Sequence, residues 1–380
     1  MIVRRRAPRL AAWESRLLGL VAIALVVFGI AAVYSSSSIV AVQSGLSGST
    51  FAFRQFSGAI LGFIMLLIGA KLDYALWRKL AWPLAGVAAF LLIVPLLPFT
   101  HELAPVRNGA RRWIDLGFFT IQPSEVAKFA VIAWTAMLAA KKGPQLRDFK
   151  LGILPFVVIL APMVLLIALE PDLSTATITA LLAAIVIFVG GARIGHFLVI
   201  GVVALPFLGH ELMAVQFRLQ RMTAFLSPGT DPLDGNWQVG QSLIGIGSGG
   251  LMGVGFGEGL QKLGYLPHAY SDFIFSAIGE EWGFVGVSFL LFLYSLYIFL
   301  GLRISRRAPD SFGSLLAVGL TALIGVTAIF HVAVTMALVP ATGLPLPFVS
   351  YGRSNLLMAL LATGVIMSIG ESGIQGRSRR

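Results

Sequence analysis

Long apolar runs separated by short polar connections dominate the pattern along this chain. A hydrocarbon core about 30 Å thick takes roughly 20 apolar residues per helix. That length picks out ten runs, near residues 17–33, 56–70, 81–99, 126–140, 152–169, 175–191, 196–212, 273–300, 315–339 and 356–369. Several are short, which predicts tilted helices or helices that run on into the flanking loops. The first run follows Arg4, Arg5, Arg6 and Arg9 as a signal peptide would. Its apolar stretch is long, however, and Tyr34-Ser-Ser-Ser-Ser-Ile-Val after it lacks a clear A-x-A cleavage site, so it reads as a retained helix. The predicted fold is an all-α polytopic membrane protein of ten transmembrane helices. It forms one membrane domain over 1–380, with tails at 1–16 and 370–380 and a large loop at 213–272.

Composition agrees with that pattern. Hydrophobic residues make up 57% of the 380 residues and charged residues 12%, whereas soluble domains carry about 25% charged residues. A soluble multidomain protein is excluded. The absence of cysteine excludes disulfides, thiolate metal sites, CxxCH haem attachment and a Cys nucleophile. The net charge of +11 raises nucleic-acid binding as an option, but placement disposes of it. With the N-terminus in the cytoplasm, nineteen of the 28 Lys and Arg fall on cytoplasmic segments, as the positive-inside rule requires. Both termini are then cytoplasmic, and the partner of this charge is anionic membrane lipid. The remaining basic residues lie on the outer side, among them Arg107, Arg111, Arg112, Lys128, Arg218, Arg221, Lys262 and Arg353. An outward cluster of cations in so uncharged a chain suggests an anionic ligand such as phosphate, with snorkelling to lipid headgroups as the alternative for any single residue.

The loop over 214–272 is far longer than the connections of a compact domain. Phe217-Arg-Leu-Gln-Arg-Met-Thr-Ala-Phe225 has the spacing of an interfacial amphipathic helix, and Ser227-Pro-Gly-Thr-Asp-Pro-Leu-Asp-Gly235 is turn chemistry. The Gly-dense stretch Trp237 to Gly259 is too irregular for a simple span and reads as a re-entrant or lid-like element. Its Gly245-Ile-Gly-Ser-Gly-Gly250 matches GxGxxG, but no strand precedes it, so a dinucleotide site is rejected. GxxxxGK[ST] is absent, and nothing supports an ATP-driven pump. There is no HExxH, and His101, His210 and His268 are scattered, so neither a zinc hydrolase nor a Ser-His-Asp site is indicated.

The carboxylates narrow the chemistry. Asp272 stands where the long loop enters the eighth run. It reads either as a helix N-cap or as a general base whose partial burial raises its pKa. Glu280 and Glu281 lie on other helical faces, at about 80° and 180° from Asp272, and need polar partners inside the bundle, for which His331 is a candidate. Glu125 and Lys128 share a face at i,i+3, either as a structural ion pair or with Lys128 on a substrate phosphate. Glu170 and Asp172 cap the turn between the fifth and sixth runs on the outer side.

Taken in order, Asn108-Gly-Ala-Arg-Arg-Trp-Ile114, Gln122-Pro-Ser-Glu125 with Lys128, Pro171-Asp-Leu173, Gln241-Ser-Leu-Ile-Gly-Ile-Gly-Ser-Gly-Gly250, Ser271-Asp-Phe-Ile-Phe275 with Gly279-Glu-Glu281, and Gly343-Leu-Pro-Leu-Pro-Phe-Val-Ser-Tyr-Gly352 resemble the SEDS family of peptidoglycan glycosyltransferases. The resemblance spans nearly the whole chain. It implies polymerisation of lipid II at the outer face of the cytoplasmic membrane of a bacterium. An acceptor sugar hydroxyl attacks the anomeric carbon of an undecaprenyl-linked glycan and displaces undecaprenyl pyrophosphate with inversion. The family's essential Asp falls on Asp272. Arg111, Lys128, Arg218 and Arg221 are candidates for the pyrophosphate. Arg112, Trp113, Glu125, Asp172, Gln241, Ser248, Lys262 and Ser350 complete the substrate-binding set that the motifs imply. A divalent cation such as Mg or Mn could add the same charge stabilisation, but nothing in the sequence requires one or identifies another cofactor.

Gln261-Lys262, Tyr265-Leu-Pro267 and Gly279-Glu-Glu281 lean toward the division-type branch (FtsW-like) over the rod-shape one, and either branch implies a class B penicillin-binding protein as partner. There are departures. His268 and Tyr270 replace the family's Glu and His before Asp272, Arg353 and Asn355 stand in the usual Gly-Gly-Ser-Ser, and Glu170 precedes Pro-Asp-Leu where Gln is usual. A lipid II flippase and a non-catalytic scaffold are the alternatives. A transporter should carry its site near the midplane, whereas these charges gather toward one face.

Overall fold

The computed structural model describes residues 13–106, 110–117, 119–214, 221–222, 225 and 237–377. Eleven helices of ten residues or more follow one another among the described residues: α1 (Trp13–Gln43), α2 (Thr50–Lys71), α3 (Ala75–Ile93), α4 (Pro123–Lys142), α5 (Leu154–Leu169), α6 (Leu173–Val189), α7 (Ile194–Ala214), α8 (Trp237–Ser248), α9 (Ile274–Arg306), α10 (Ser311–Thr335) and α11 (Arg353–Arg377). Among the described residues, eight helices are long and apolar enough to cross a membrane. Of the ten expected spans, the other two are α6, which is apolar but 17 residues long, and α4, which carries buried Glu125 and Lys128. Several helices outrun their apolar stretches. In α1 the added turns hold Ser35, Ser36 and Ser37, each buried, and Ser36 and Ser37 donate to carbonyls four residues back.

One departure from the all-helical expectation is a small antiparallel hairpin between α3 and α4, in which Ile114 pairs with Ile121 and Asp115 with Thr120. It presents Arg111 and Arg112 on its incoming arm.

The core lies along α10, α11 and α4, with α1 and α9 against it. Small residues let backbones touch. A Cβ added at Gly364 of α11 would sit 2.2 Å from the Leu66 carbonyl of α2, and one at Gly62 of α2 would meet Leu360 at 2.5 Å. This is the close approach by which helices associate when lipid supplies no hydrophobic contrast.

The Gly-dense stretch resolves into α8 and a turn-rich segment that zips onto α9. Gly283 breaks α9 with φ 59° and ψ −159°. The backbone groups around that kink are taken up by the segment: Val254 N–H donates to Glu280 O (3.0 Å), Gly255 N–H to Glu281 O (3.1 Å), Phe284 N–H to Gly250 O (2.9 Å) and Val285 N–H to Leu251 O (3.1 Å). Buried backbone must be paired, and the approach is so close that a Cβ on Gly253 would fall 2.2 Å from Glu281 O. The amphipathic stretch expected over 217–225 lies, apart from 221–222 and 225, outside the described residues.

Candidate active site

The starts of α2, α4, α6, α9 and α11 and the ends of α1, α3, α5 and α10 meet at one end of the bundle, and Asp272 sits among them. The N-cap of α9 is Phe273, with no side-chain cap, so the Asp272 carboxylate is not spent on capping. His268, at φ 58°, turns the chain so that its carbonyl accepts from both Ser271 N–H and Asp272 N–H at 3.0 Å.

The segment before α11 then clamps this turn. Ser350 Oγ donates to Ser271 O (2.6 Å) and accepts from Leu346 N–H (2.8 Å), while Tyr351 N–H donates to Tyr270 O (3.0 Å). Gln55 of α2, fully buried, backs the clamp: its Nε2 donates to Ser350 O (3.0 Å) and its Oε1 accepts from Gly352 N–H (3.2 Å). Phe51, Tyr270 and Tyr351 pack their rings together beside it. The chain at Gly343 passes so near that a Cβ there would lie 3.5 Å from Asp272 Oδ2.

Burial pushes the Asp272 carboxyl above the ordinary carboxylate range, and His268, the Ser271 hydroxyl, Arg221 and Arg112 pull it back down. Arg221 is itself lowered by burial; Asp272 opposes that shift and Arg112 adds to it. Its Nη1 donates to Ala341 O at 3.1 Å. Arg112 donates through Nε to Glu170 O (3.0 Å) and through Nη2 to Pro171 O, with Nη1 4.0 Å from Asp172 Oδ2. Both guanidiniums favour the ionised form of Asp272, less than His268 and the Ser271 hydroxyl do. A cationic pocket beside a half-buried base can hold an anionic leaving group while a proton is removed. Tyr270 is raised too, by burial and then by Tyr351 and Asp272.

The other sequence candidates are distributed differently. Arg111 spends Nε, Nη1 and Nη2 on Ala104 O (2.9 Å), Leu97 O (3.1 Å) and Thr100 Oγ1 (2.9 Å), so it braces its own loop. Trp113 is half-buried in the same arm. Lys128 and Glu125 form a closed buried pair at 2.8 Å, joined by Asn355 Nδ2 donating to Glu125 Oε2 at 3.2 Å. Asp172 caps α6 by accepting from Thr175 N–H (3.2 Å). Gln241 is half-buried on α8, which is anchored by Ser242 Oγ donating to Thr335 O (2.8 Å) and Ser276 Oγ donating to Ser242 O (2.7 Å). Ser248 is exposed and donates to Gly245 O of its own helix (2.8 Å). Arg218 lies outside the described residues.

Lys262 is buried and binds Glu281 Oε1 at 2.9 Å. Glu280 accepts from Leu260 N–H (2.8 Å) and Gln261 N–H (3.3 Å). The expected pairing of these glutamates with His331 does not occur: His331 Nδ1 meets Leu344 O at 2.8 Å. The Gly-rich segment reaches the glutamates first because it lies along the kink. Arg353, the bulky departure, lays its stem on Gly58 and its guanidinium over Phe119 at 4.9 Å. Among the described residues, no group of three or more His, Asp or Glu could hold a metal ion.

Residues to which the sequence alone assigned no role are Gln55, Ser35 and Ser271. The signal for the first two was a polar side chain inside an apolar helix, which has to find an interior partner.

Residues 15–373 match the FtsW/RodA/SpoVE family of cell cycle proteins. A probable peptidoglycan glycosyltransferase FtsW of Trichlorobacter lovleyi is 40% identical over 367 residues, covering 97% of this chain and 95% of that protein. The stage V sporulation protein E of Bacillus subtilis is 38% identical and covers 93% and 96%. Among solved structures, a chain of a peptidoglycan synthase complex that coordinates polymerization and crosslinking superposes with a TM-score of 0.74 at 28% identity, covering 94% of this chain and 97% of that one. The rod shape determining protein RodA of Thermus thermophilus superposes at 0.68 with 27% identity, covering 93% and 96%. With the match running through every helix and through the Asp272 end, the chain belongs to the FtsW/RodA/SpoVE family of multi-pass membrane proteins.

Proposed function

We propose that this chain is a peptidoglycan glycosyltransferase that polymerises lipid II at the outer face of a bacterial cytoplasmic membrane, with both of its termini inside. The observation that carries the reading is the half-buried Asp272 carboxylate, not spent on capping α9 and held in the turn that Ser350 and Tyr351 clamp at one end of an apolar bundle. In the reaction, an acceptor sugar hydroxyl adds to the anomeric carbon of the undecaprenyl-linked glycan. Its proton passes to the Asp272 carboxylate as the C–O bond to pyrophosphate breaks, and the anomeric configuration inverts. Undecaprenyl pyrophosphate leaves with its charge countered by Arg112 and Arg221. Developing charge met by groups already in place is the largest catalytic contribution such a site can make.

The similarity to a chain of a complex that coordinates polymerization and crosslinking supports a class B penicillin-binding protein as partner. The likeness to an FtsW protein, together with the Gln261-Lys262 and Gly279-Glu-Glu281 motifs, supports a division-type role. One experiment tests the activity. The purified protein and its penicillin-binding partner are given lipid II, and glycan length is read on a gel for wild type, Asp272→Ala and Asp272→Asn. Long strands from wild type alone are expected. Long strands from Asp272→Ala would overturn the assignment of the base.

A further inference from the structure

Glu170 is a buried carboxyl at this end that the reaction above does not use, and unlike the buried Glu125, Asp172, Glu280 and Glu281 it has no side-chain hydrogen-bond partner among the described residues. It follows the last turn of α5, is fully buried, and no described residue hydrogen-bonds either of its side-chain oxygens. Its backbone carbonyl, by contrast, holds Arg112 Nε at 3.0 Å, so the acid lies at the root of the guanidinium that acts on Asp272. The charged groups around it are few. Asp172 stands at the start of α6, Arg112 comes from the hairpin arm, α4 offers the Glu125–Lys128 pair closed on itself at 2.8 Å, and α3 carries no charged residue in its last turn.

We propose that Glu170 is a positioning residue that works in its neutral form: protonated, it leaves the charge of Arg112 to the Asp272 site, and ionised it draws that charge to itself. A buried carboxylate without a hydrogen-bond partner is strongly disfavoured. Burial and then Asp172 raise this group to about 9, against the pull of Arg112. An ionised Glu170 competes with an anionic ligand for one guanidinium, so the site weakens in alkali. The inference rests on the reading of Arg112 as a pyrophosphate ligand.

The test uses full-length wild type, Glu170→Gln and Arg112→Ala. Thermal unfolding is followed from about pH 5 to about pH 8, where the unfolded chain ionises Glu170 and the folded one does not. Wild type should lose stability relative to Glu170→Gln across that window, and parallel curves would show that Glu170 is not held neutral. The stabilisation given by undecaprenyl pyrophosphate is then compared at about pH 7 and about pH 9.5. The shift is expected to shrink several-fold in wild type, to persist in Glu170→Gln, and to be small at both values in Arg112→Ala. An equal loss in wild type and Glu170→Gln overturns the proposal, as does a full shift in Arg112→Ala. Lipid II polymerisation by wild type at neutral pH separates the two readings. Polymer without an Arg112-dependent shift sinks this inference alone, and absence of polymer sinks the proposed function while the unfolding curves still judge Glu170.

Discussion

Lys262 Nζ lies 2.9 Å from Glu281 Oε1, with both side chains buried and Ser35 Oγ of α1 donating to the same carboxylate at 2.6 Å. The Gly-rich segment, the kinked α9 and α1 are thereby fastened at one point. A buried pair broken on one side leaves an uncompensated charge, at a cost of about 3–5 kcal/mol, whereas replacing both partners by apolar groups is often neutral. Lys262→Met and Glu281→Leu should each lower the melting temperature of the purified protein markedly, and the double variant should recover most of the loss. Additive losses in the double variant would argue against the coupling.

Arg111 and Arg112 are adjacent but face different partners, and their variants should differ in substrate dependence. Arg111 bonds three acceptors of its own loop, whereas Arg112 reaches the Glu170–Asp172 turn and acts on Asp272. Arg111→Ala should speed proteolysis of the connection between α3 and α4. Arg112→Ala should raise the lipid II concentration needed for half-maximal polymerisation by about tenfold, the equivalent of 1.4 kcal/mol, whereas Arg111→Ala should leave it near wild type. Matching kinetic defects in the two variants would contradict this division.

How far these roles were legible beforehand depends on the kind of interaction. The membrane-spanning architecture was legible from hydropathy, because burial of apolar length is a property of the local sequence, whereas one carboxylate at a loop-to-helix boundary left Asp272 open between N-cap and base, and only the family resemblance pointed to the base. The roles of Lys262, Glu280 and Glu281 did not follow. Their partners come from a glycine-rich segment whose path is set by the α9 kink at Gly283, and no periodicity encodes that path. The same holds for Gln55, whose two hydrogen bonds run to a segment almost three hundred residues away. Glu125 with Lys128 was readable as a pair at i,i+3, but Asn355, which completes it, comes from α11.

Glycine packing makes a prediction that needs no activity. A Cβ at Gly249 would lie 1.9 Å from Gly279 O, and the obstacle is backbone rather than a flexible side chain. Gly249→Ala should therefore unzip the segment from α9 and destabilise the protein by about 1–3 kcal/mol, as overpacking does. Gly247→Ala, with open space around its Cβ, is the control and should be near neutral in the same melting assay.

The acid side of the rate profile tests Asp272 as the base. Burial raises its pKa, and His268, acting first among the groups that lower it, works against that rise. A base serves only when ionised, so the rate of polymerisation should climb as pH rises through the Asp272 pKa. Removing a group that favours the carboxylate moves that pKa up. His268→Gln should therefore shift the acid limb to higher pH and cost rate at mildly acidic pH, while the plateau at higher pH is largely kept. Arg221 pulls in the same direction as His268, so Arg221→Gln should shift the limb likewise, and it should also weaken substrate binding if, as proposed, its guanidinium counters the leaving pyrophosphate. The two variants are distinguished by the plateau: a limb that moves in neither, with Asp272→Asn inactive, would assign the acid limb to another group and leave Asp272 a role other than titrating base.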